Sequence, residues 1–356
     1  MACILGIEST CDETAAAVVL DGWDVRSNVV ATQVELHAKY RGVVPEIASR
    51  AHIENILPVI EEAVCGAGVT MGDVDAVAVA HRPGLIGSLL IGVTAAKGLA
   101  WATGKPLIGV DHVHAHLYSV MLGEDQGLGV RGQGLGKKEG VEFPAVGLVV
   151  SGGHTALYAM RGWLEVELIG STIDDAVGEA YDKVAAILGL GYPGGPVIDR
   201  LARVGDAKAV RFPRTLLGRE SLDFSFSGLK TAVLYHVKGV PGRGQDVKAG
   251  RVELGERRIA DICASFQAAC VDVIVEKLRR ALRATGGTSV LIGGGVSANS
   301  GLRAALGRLG VDVRVPALTY CTDNAAMSAG LGHLYYERGD FSGLDIDAIT
   351  YSQFRA

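Results

Sequence analysis

The feature that most constrains the fold of this chain is a strand–turn–strand unit that occurs twice. The first unit spans residues 3–20 and turns at Ser9, whereas the second spans residues 145–159 and turns at Ser151. In both units two apolar runs flank a short polar turn, a pattern that predicts a β-hairpin. The repetition of the unit predicts an α/β fold made of two lobes with similar topology.

The polar turns of both hairpins are candidate phosphate loops, because hydroxyl groups and glycine N–H groups at a hairpin tip can surround an anion. Either turn alone is more typical of an ordinary hairpin, and the repetition favours ligand binding. A third loop, 293–299, follows the apolar run 290–292 and precedes a segment with Leu302 and Leu306. This strand–glycine loop–helix order predicts backbone N–H groups that face a nucleoside.

The length and composition allow two domains with large cores, since the chain has 356 residues and is 49% hydrophobic. We predict an N-terminal lobe at 1–122, completed by C-terminal helices at about 325–356, and a C-terminal lobe at 143–324. The glycine-rich segment 123–142 is predicted to connect them. Two glycine-rich and charged stretches are predicted to be surface insertions without an assigned function, 124–142 and 238–256.

The cysteines and the apolar segments predict a cytoplasmic protein without a membrane partner. The six cysteines form no CxxC pair, which fits a reducing compartment. The first residues lack the basic and apolar regions of a signal peptide. The longest apolar stretch, around 85–102, is interrupted by Ser88, Thr94 and Lys97, so a membrane span is not expected.

The net charge of −5 and the sequence pI of about 6.0 give no overall basic field. An RNA partner would therefore require a local patch of positive charge, and DNA is not expected as a partner. Lysines and arginines at these densities are commonly just solvated surface. The candidates for a basic strip are Lys39, Arg41, Arg50, Arg211, Arg214, Arg219 and Lys230.

A histidine pair provides the first candidate metal ligands. His112 and His116 stand four positions apart, and on a helix they would project from one face. Imidazole nitrogen suits zinc, iron, copper and nickel, but two imidazoles hold a catalytic metal poorly. A metal site therefore needs a third ligand, usually a carboxylate, from elsewhere in the fold. The pair alone is more often explained by packing and hydrogen bonding.

A group of carboxylates predicts a second region of interest. Asp175, Glu179 and Asp182, in the segment 172–183, are predicted to share one helical face. Such a face is usually solvated, but this one leads into the glycine- and proline-rich loop 188–199, which is typical of ligand contacts. We therefore predict ligand binding in this region.

With these loops in place, the chain resembles the family of tRNA threonylcarbamoyladenosine transferases, the bacterial TsaD type, formerly described as O-sialoglycoprotein endopeptidases or glycoproteases. The resemblance implies the two-lobed fold of actin, heat-shock chaperones and sugar kinases. It also implies transfer of a threonylcarbamoyl group from threonylcarbamoyl-adenylate to the exocyclic amine of the adenosine beside the anticodon, in tRNAs that read codons beginning with A, with release of AMP. The matching blocks are 6–14, 43–52, 83–89, 112–116, 150–155, 174–183, 192–196, 224–231, 294–299 and 321–327.

The resemblance also assigns roles to individual residues. The implied metal ligands are His112, His116 and Asp323, so that Asp323 supplies the missing carboxylate. Asp12 and Glu13 are candidates for orienting the nucleophile or the leaving group. The residues implied to bind the adenylate are Val149, Val150, Ser151, Gly152, Gly153, Asp182, Gly195, Asp199 and Asn299.

The cofactors and partners implied by the resemblance are one divalent metal ion per subunit and a nucleotide in the cleft. Fe²⁺ is favoured and Zn²⁺ is the alternative, because two imidazoles and a carboxylate suit both ions. The nucleotide is threonylcarbamoyl-adenylate, ATP or ADP. The implied partners are tRNA, a paralogous subunit of the same fold (TsaB type) and a small P-loop ATPase (TsaE type).

The sequence departs from the family pattern at two positions. Arg82 stands where relatives often carry glycine, and its guanidinium could clash with the following loop or contact phosphate. Val149 stands where archaeal relatives show a metal-binding tyrosine, so the archaeal ligand set does not apply here.

Three other functions compete with transfer to tRNA. A small-molecule kinase of the same fold would use similar phosphate loops, but it would hold magnesium through oxygen and water rather than imidazole. A nucleotide-regulated scaffold would have no need of a metal-ligand set. A metalloprotease is disfavoured because the residue after His112 is Val113, not the glutamate of the H-E-x-x-H motif.

Overall fold

The structure is a computed structural model that describes residues 1–123, 140–239 and 254–354. The strands are β1 Cys3–Glu8, β2 Glu13–Leu20, β3 Asp24–Thr32, β4 Ala76–Arg82, β5 Leu107–Asp111, β6 Ala145–Val150, β7 Thr155–Gly162, β8 Glu165–Ser171, β9 Ser289–Gly293 and β10 Asp312–Arg314. The helices are α1 Val34–Ala38, α2 Pro45–Gly66, α3 Ile86–Thr103, α4 His112–Tyr118, α5 Val177–Leu188, α6 Gly194–Ala202, α7 Ser227–Lys238, α8 Glu256–Thr285, α9 Ser300–Leu306 and α10 Ala325–Arg338. Short 3₁₀ turns lie at Ser119–Met121, Gly295–Ala298 and Leu318–Tyr320.

The chain divides into two compact units. Unit 1 contains Met1–Gly140, Ile292–Gly294 and Arg314–Ala356, and unit 2 contains Val141–Leu291 and Gly295–Val313. The segment 314–324, which the sequence analysis placed in the C-terminal lobe, thus groups with unit 1 by its contacts. The domain boundaries remain predictions. The predicted insertions 124–142 and 238–256 lie largely outside the described residues.

Unit 1 is built on a five-stranded sheet in the order β3-β2-β1-β4-β5. β1 pairs antiparallel with β2 and parallel with β4, and all six residues of β1 are buried. The alternation of a strand explains this burial, because Leu5 and Ile7 belong to the core cluster that includes residues of α2 and α3. Gly6 points the other way and lies against α10, where a Cβ atom would collide with the backbone of Ala325. Helices therefore cover both faces of this strand.

Helix α3 is the apolar stretch in which no membrane span was predicted. Ile86–Thr103 meets the length and composition criteria for crossing a membrane, and a third of it (33%) is buried in the structure. One such helix is weak support for a span, because core helices satisfy the same criteria. α3 packs on β4 and α2 within unit 1, and it contributes Leu89 and Val93 to the core cluster.

Unit 2 is built on a sheet in the order β10-β9-β6-β7-β8, whose strands β9 and β10 end at the division between the units. The central β6 pairs antiparallel with β7, and β7 pairs antiparallel with β8. Read from its other edge, this order repeats that of the first sheet: a three-stranded meander followed by two later strands. The predicted hairpins β1–β2 and β6–β7 are both present, as are strand β9 and helix α9. The predicted α/β fold with duplicated lobes is confirmed.

Candidate metal centre

Helix α4 presents the histidine pair. It begins directly after β5, and the side chain of Asp111 caps it by accepting hydrogen bonds from the N–H groups of Val113 (3.0 Å) and His114 (3.2 Å). The cap fixes where the first helical turn starts. The rings of His112 and His116 consequently stand one turn apart, with centroids separated by 4.6 Å, and both are buried.

Asp323 reaches the same point from the far end of the chain. It precedes Asn324, whose side chain caps the first turn of α10. Its Oδ1 lies 3.1 Å from Nε2 of His116 and 3.6 Å from Nε2 of His112. The ligand atoms of all three residues lie within 4.8 Å of one another. The structure thus brings together the three residues for which the resemblance implied a common role.

The donor set fits one metal ion. Bonds of about 2.0–2.2 Å from nitrogen and oxygen ligands place neighbouring ligand atoms about 3.0–3.5 Å apart. The two distances to Asp323, 3.1 and 3.6 Å, lie within or close to this spacing. Two imidazoles and one carboxylate leave coordination positions for a substrate or water, as in catalytic sites.

The electrostatics of the centre also favour a cation. Burial alone would lower the pKa of His112, but the carboxylates of Glu8 and Asp323 outweigh burial and raise it to about 9. This shift means that the site stabilises positive charge at the ring. A metal ion and a proton compete for Nε2, and the same neighbouring carboxylates stabilise either one.

Asp12 and Glu13 lie at the end of the first hairpin turn, within the electrostatic reach of Asp323. Burial, followed by the charges of Asp323 and Asp12, raises the pKa of Glu13 to about 10. Thr32 donates a weak hydrogen bond to Glu13 (3.4 Å). A cation beside Asp323 would oppose this shift, because it would cancel the charge that disfavours ionisation. The role of the two residues in orienting the nucleophile or the leaving group stays a prediction.

The backbone positions implied to bind the adenylate lie in unit 2. Val149 and Val150 are buried at the end of β6, so their side chains belong to the core. Gly152 and Gly153 form the turn to β7 and are exposed, and a Cβ atom built on either would meet no neighbour. Gly195, at the start of α6, has the same open surroundings. These glycines leave room for a ligand to approach the backbone.

Helix α5 holds the turn at Ser151 in place. The N–H of Gly178 donates to the carbonyl of Ser151 (3.2 Å), and a Cβ atom at Gly178 would collide with this carbonyl. Within the turn, the N–H of His154 donates to the Ser151 hydroxyl (3.0 Å). Only glycine at position 178 permits this close approach of helix and turn.

The polar side chains implied to bind the adenylate are engaged in internal hydrogen bonds. Asp182 accepts a bond from the N–H of Gly194 (2.7 Å), which starts helix α6. Asn299 caps α9 by accepting from the N–H of Leu302 (2.9 Å). Asp199 accepts four bonds: Oδ1 from Gln267 Nε2 (3.1 Å), Ser300 N (3.2 Å) and Ser300 Oγ (2.7 Å), and Oδ2 from Arg203 (3.0 Å).

Gln267 contacts two of the residues implied to bind the adenylate, and it was not predicted from the sequence. It is buried on α8, where it donates to Asp199 and accepts from the side-chain amide of Asn299 (2.7 Å). It therefore joins two residues from separate parts of the chain. A lone glutamine within a long helix gives no sequence signal for such a role.

The prediction that Asp175 shares a helical face with Glu179 and Asp182 is wrong. Helix α5 begins at Val177, two residues after Asp175. Lys183 instead pairs with both Asp175 (2.7 Å) and Glu179 (2.8 Å), which relieves the repulsion between the carboxylates. Asp182 turns toward α6.

Arg82, the first departure from the family pattern, ends strand β4. Its Nε donates to Nε2 of His81 (2.8 Å), and burial lowers the pKa of that histidine. Both residues line a polar cavity of about 240 Å³ together with Tyr335 and Gln353. The guanidinium therefore turns to its own strand neighbour. Whether it contacts phosphate stays a prediction.

The candidate basic residues are partly neutralised within their own units. Arg50 pairs with Glu46 in unit 1, and Lys39 lies over the ring of Tyr40. In unit 2, Arg214 pairs with Asp272, and Lys230 pairs with Asp175. These pairs reduce the positive charge available to RNA, and the basic strip stays a prediction.

Comparison with known proteins identifies close relatives over nearly the whole chain. A sequence model of the tRNA N6-adenosine threonylcarbamoyltransferase family matches residues 24–330. The tRNA N6-adenosine threonylcarbamoyltransferase of Geotalea uraniireducens is 48% identical over 350 residues, which cover 97% of this chain and 95% of that protein. The enzyme of the same name from Symbiobacterium thermophilum is 51% identical over 350 residues, with the same coverage.

Solved structures of more distant proteins share the fold. HypF of T. kodakarensis aligns with a TM-score of 0.56 at 16% identity, covering 95% of this chain and 48% of HypF. An activator of 2-hydroxyisocaproyl-CoA dehydratase from Clostridium difficile, with bound ADPNP, aligns with a TM-score of 0.50 at 12% identity, covering 97% of this chain and 100% of the activator. These likenesses concern the fold alone. From its sequence match and its full-length relatives, the chain belongs to the tRNA N6-adenosine threonylcarbamoyltransferase family.

Proposed function

We propose that this chain transfers the threonylcarbamoyl group from threonylcarbamoyl-adenylate to N6 of an adenosine beside the tRNA anticodon, in tRNAs that read codons beginning with A, and that AMP leaves. The observation that carries the proposal is the full-length similarity, 48% over 350 residues, to a protein named for this transfer. The cluster of His112, His116 and Asp323 supports it, because neither a kinase nor a scaffold needs imidazole ligands.

His112, His116 and Asp323 would hold the metal, with Fe²⁺ favoured over Zn²⁺ by the family resemblance. When bound, the metal supplies Lewis-acid stabilisation of charge on a phosphate or carbonyl oxygen. The helix cap at Asp111 and the cap at Asn324 position the ligands from both sides. The protein thus prepares the ligand geometry before any substrate arrives.

The adenylate would lie against unit 2. The open surroundings of Gly152, Gly153 and Gly195 support contact between their backbone and the ligand. Asp182, Asp199 and Asn299 would contribute through the helix starts that they hold, as well as through direct contact. Because the adenylate is already an activated acyl donor, the site chiefly positions the amine and stabilises the leaving phosphate. Asp12 and Glu13 would orient the amine or the leaving phosphate.

The expected partners are tRNA, a same-fold subunit of the TsaB type and a small P-loop ATPase of the TsaE type, in the cytoplasm. An exposed apolar stripe on unit 1 supports docking of the same-fold subunit. Ile53 and Leu57 on α2, and Ile86 and Leu90 on α3, are each one helical turn apart and between 44% and 64% exposed. Replacing Leu57 and Leu90 by serine should abolish co-purification with that subunit; unchanged co-purification would refute the location.

The decisive experiment is nucleoside analysis of tRNA by mass spectrometry. The metal-loaded protein and its partners are incubated with threonylcarbamoyl-adenylate and unmodified tRNA, and the wild type is compared with Asp323→Ala. Threonylcarbamoyladenosine formed by the wild type and lost in the variant supports the reaction and the role of the metal. No product from either, with partners shown active beside a known homologue, refutes the proposal. Release of ADP with a phosphorylated small molecule would favour the kinase.

A further inference from the structure

Glu8 is a carboxylate with no exposed surface, at the last position of β1. Its Oε2 lies 3.1 Å from Nδ1 of His112, and its Oε1 accepts a hydrogen bond from the N–H of Thr10 (2.9 Å). The hydroxyl of Ser328 donates to Oε2 at 3.3 Å. Across the described residues, neither a lysine nor an arginine forms an ion pair with Glu8; His112 is its ionisable partner.

This environment demands a positive charge nearby. A buried carboxylate is costly unless hydrogen bonds and an opposite charge compensate for the lost water. The neutral donors Thr10 and Ser328 supply hydrogen bonds but no charge. The ring of His112, together with a cation bound to it, can supply this charge.

The contact to Glu8 also determines which nitrogen of His112 can bind a metal. A carboxylate that accepts from Nδ1 keeps the proton on that nitrogen, which leaves the lone pair on Nε2. Nε2 is the atom that faces Asp323, at 3.6 Å. In metal sites of known proteins, such a carboxylate behind a histidine fixes the tautomer and the ring orientation and makes the ligand more basic.

The second histidine lacks this support. Nδ1 of His116 is buried and has no hydrogen-bond partner among the residues that the structure describes. The hydroxyl of Thr10 also lies 3.2 Å from Nδ1 of His112, so polar contacts concentrate on one ring of the pair. The two ligands of one helix therefore differ in how firmly they are held.

From this geometry we propose that Glu8 is a positioning residue of the metal centre, which orients His112 for coordination through Nε2. The inference rests on the metal site of the proposed function and adds a residue to it. Glu8 acts through His112 and needs no contact with the substrate. The competing explanation is purely structural: Glu8 would only tie the end of β1 to Thr10 and to Ser328 on α10.

The test uses Co²⁺ as a spectroscopic probe on the full-length protein. We compare wild type, Glu8→Gln and Ser328→Ala by visible absorption and by competition with a chelator. Glutamine keeps the size and one acceptor oxygen but removes the charge. We expect Glu8→Gln to bind Co²⁺ about 10–100-fold more weakly, with a changed d–d spectrum. Ser328→Ala, which removes a different contact to the same carboxylate, should bind within about 3-fold of wild type, since it leaves the charge and the His112 contact intact.

Wild-type affinity and spectrum in a folded Glu8→Gln protein would overturn the proposal. If that variant fails to fold, Glu8→Asp replaces it, because the shorter side chain withdraws the oxygen from Nδ1 while keeping the charge; an unchanged affinity and spectrum would again overturn the inference. Asp323→Asn separates this inference from the metal site itself. If Asp323→Asn loses Co²⁺ binding while Glu8→Gln binds Co²⁺ like the wild type, only the role of Glu8 is refuted. A wild type that binds no Co²⁺ refutes both the metal site and the role of Glu8.

Discussion

The candidate metal centre in unit 1 and the candidate adenylate residues in unit 2 use polar side chains in opposite ways. In the metal centre, His112, His116 and Asp323 direct their ligand atoms at one another, within 4.8 Å, and other residues hold them there. In unit 2, the side chains of Asp182, Asp199 and other polar residues instead accept hydrogen bonds from helix starts and buried amides. The first set would bind its ligand directly, whereas the second supports the backbone around the candidate adenylate site.

A substitution should therefore have different effects on function and on folding in the two regions. Removing the ligand Asp323 from the metal centre should affect function far more than folding, because its side chain is partly exposed. Removing a polar residue from unit 2 should affect both, because each one satisfies buried donors. Loss of activity alone would not distinguish the two roles.

The largest effect is expected for Asp323→Ala. Loss of one of three ligands should lower metal affinity by more than about 100-fold, exceeding the effect of outer residues. The unfolding free energy measured after chelation should change by less than about 1 kcal/mol, because the Asp323 side chain is partly exposed (20%). Metal content by mass spectrometry and denaturant unfolding measure both quantities. A strongly destabilised variant would contradict the contrast between the regions.

Asp199→Ala should destabilise unit 2 by about 3 kcal/mol, because the donors of Gln267 and Ser300 lose their acceptor in a buried environment. Hydrogen exchange in α8 and α9 measures this loss. Arg203→Ala is the matched control. It removes the partner of Oδ2 and a longer hydrogen bond (3.3 Å) from Nε of Arg203 to the Ser300 hydroxyl, but it leaves the bonds to Oδ1 in place. Because the Arg203 side chain is 63% exposed, this change should cost less than about 0.5 kcal/mol. Equal effects of the two changes would show that the Oδ1 network contributes little.

Asp111→Ala should destabilise unit 1 by about 2 kcal/mol, because it removes the cap of α4. Oδ2 of Asp111 also accepts hydrogen bonds from Ser352 Oγ (2.8 Å) and from the N–H of Gln353 (3.0 Å), and the variant would lose both. Asp111 holds the backbone of unit 1 around the candidate site, as Asp199 does in unit 2. Thermal unfolding with and without metal measures the effect. We expect metal affinity to fall as well, and unaltered affinity would mean that the cap does not position the histidines.

The smallest effect is expected for Asn299→Ser. Serine is also a good helix cap, so α9 should keep most of its stability, with a loss of about 0.5 kcal/mol. The shorter side chain cannot donate to Gln267, which in turn donates to Asp199. If these two hydrogen bonds position Asp199, nucleotide affinity should fall. Calorimetric titration with AMP, the expected product, provides the readout. Asn299→Ala, which loses the cap too, should cost about 1 kcal/mol more. Identical stabilities of the two variants would exclude a capping role.

Local patterns predicted the hairpins and the histidine pair, because alternation and helical spacing act over a few residues. Asp323 could be assigned only through the family resemblance, since no local rule connects positions so distant in sequence. Asp175 was misplaced because α5 begins only at Val177, whose N–H donates to the hydroxyl of Thr155 on β7, a contact that no local pattern reveals. Glu8 did carry a signal: a single charge at the end of an otherwise apolar strand is buried and requires a partner. Gln267 carried none.

The position of α10 over β1 has a consequence for biosynthesis. The strand that leaves the ribosome first is covered by nearly the last helix, and Asp323 arrives just before that helix. Unit 2 comes from one continuous stretch, Val141–Val313, apart from the three residues Ile292–Gly294, which belong to unit 1. Unit 2 can therefore fold before the final helix of unit 1 has been synthesised. A nascent chain or a nonsense product that stops before residue 323 can therefore carry a folded unit 2 but never a loaded metal centre. We therefore expect a metal ion to enter the centre only after residue 323 has been synthesised.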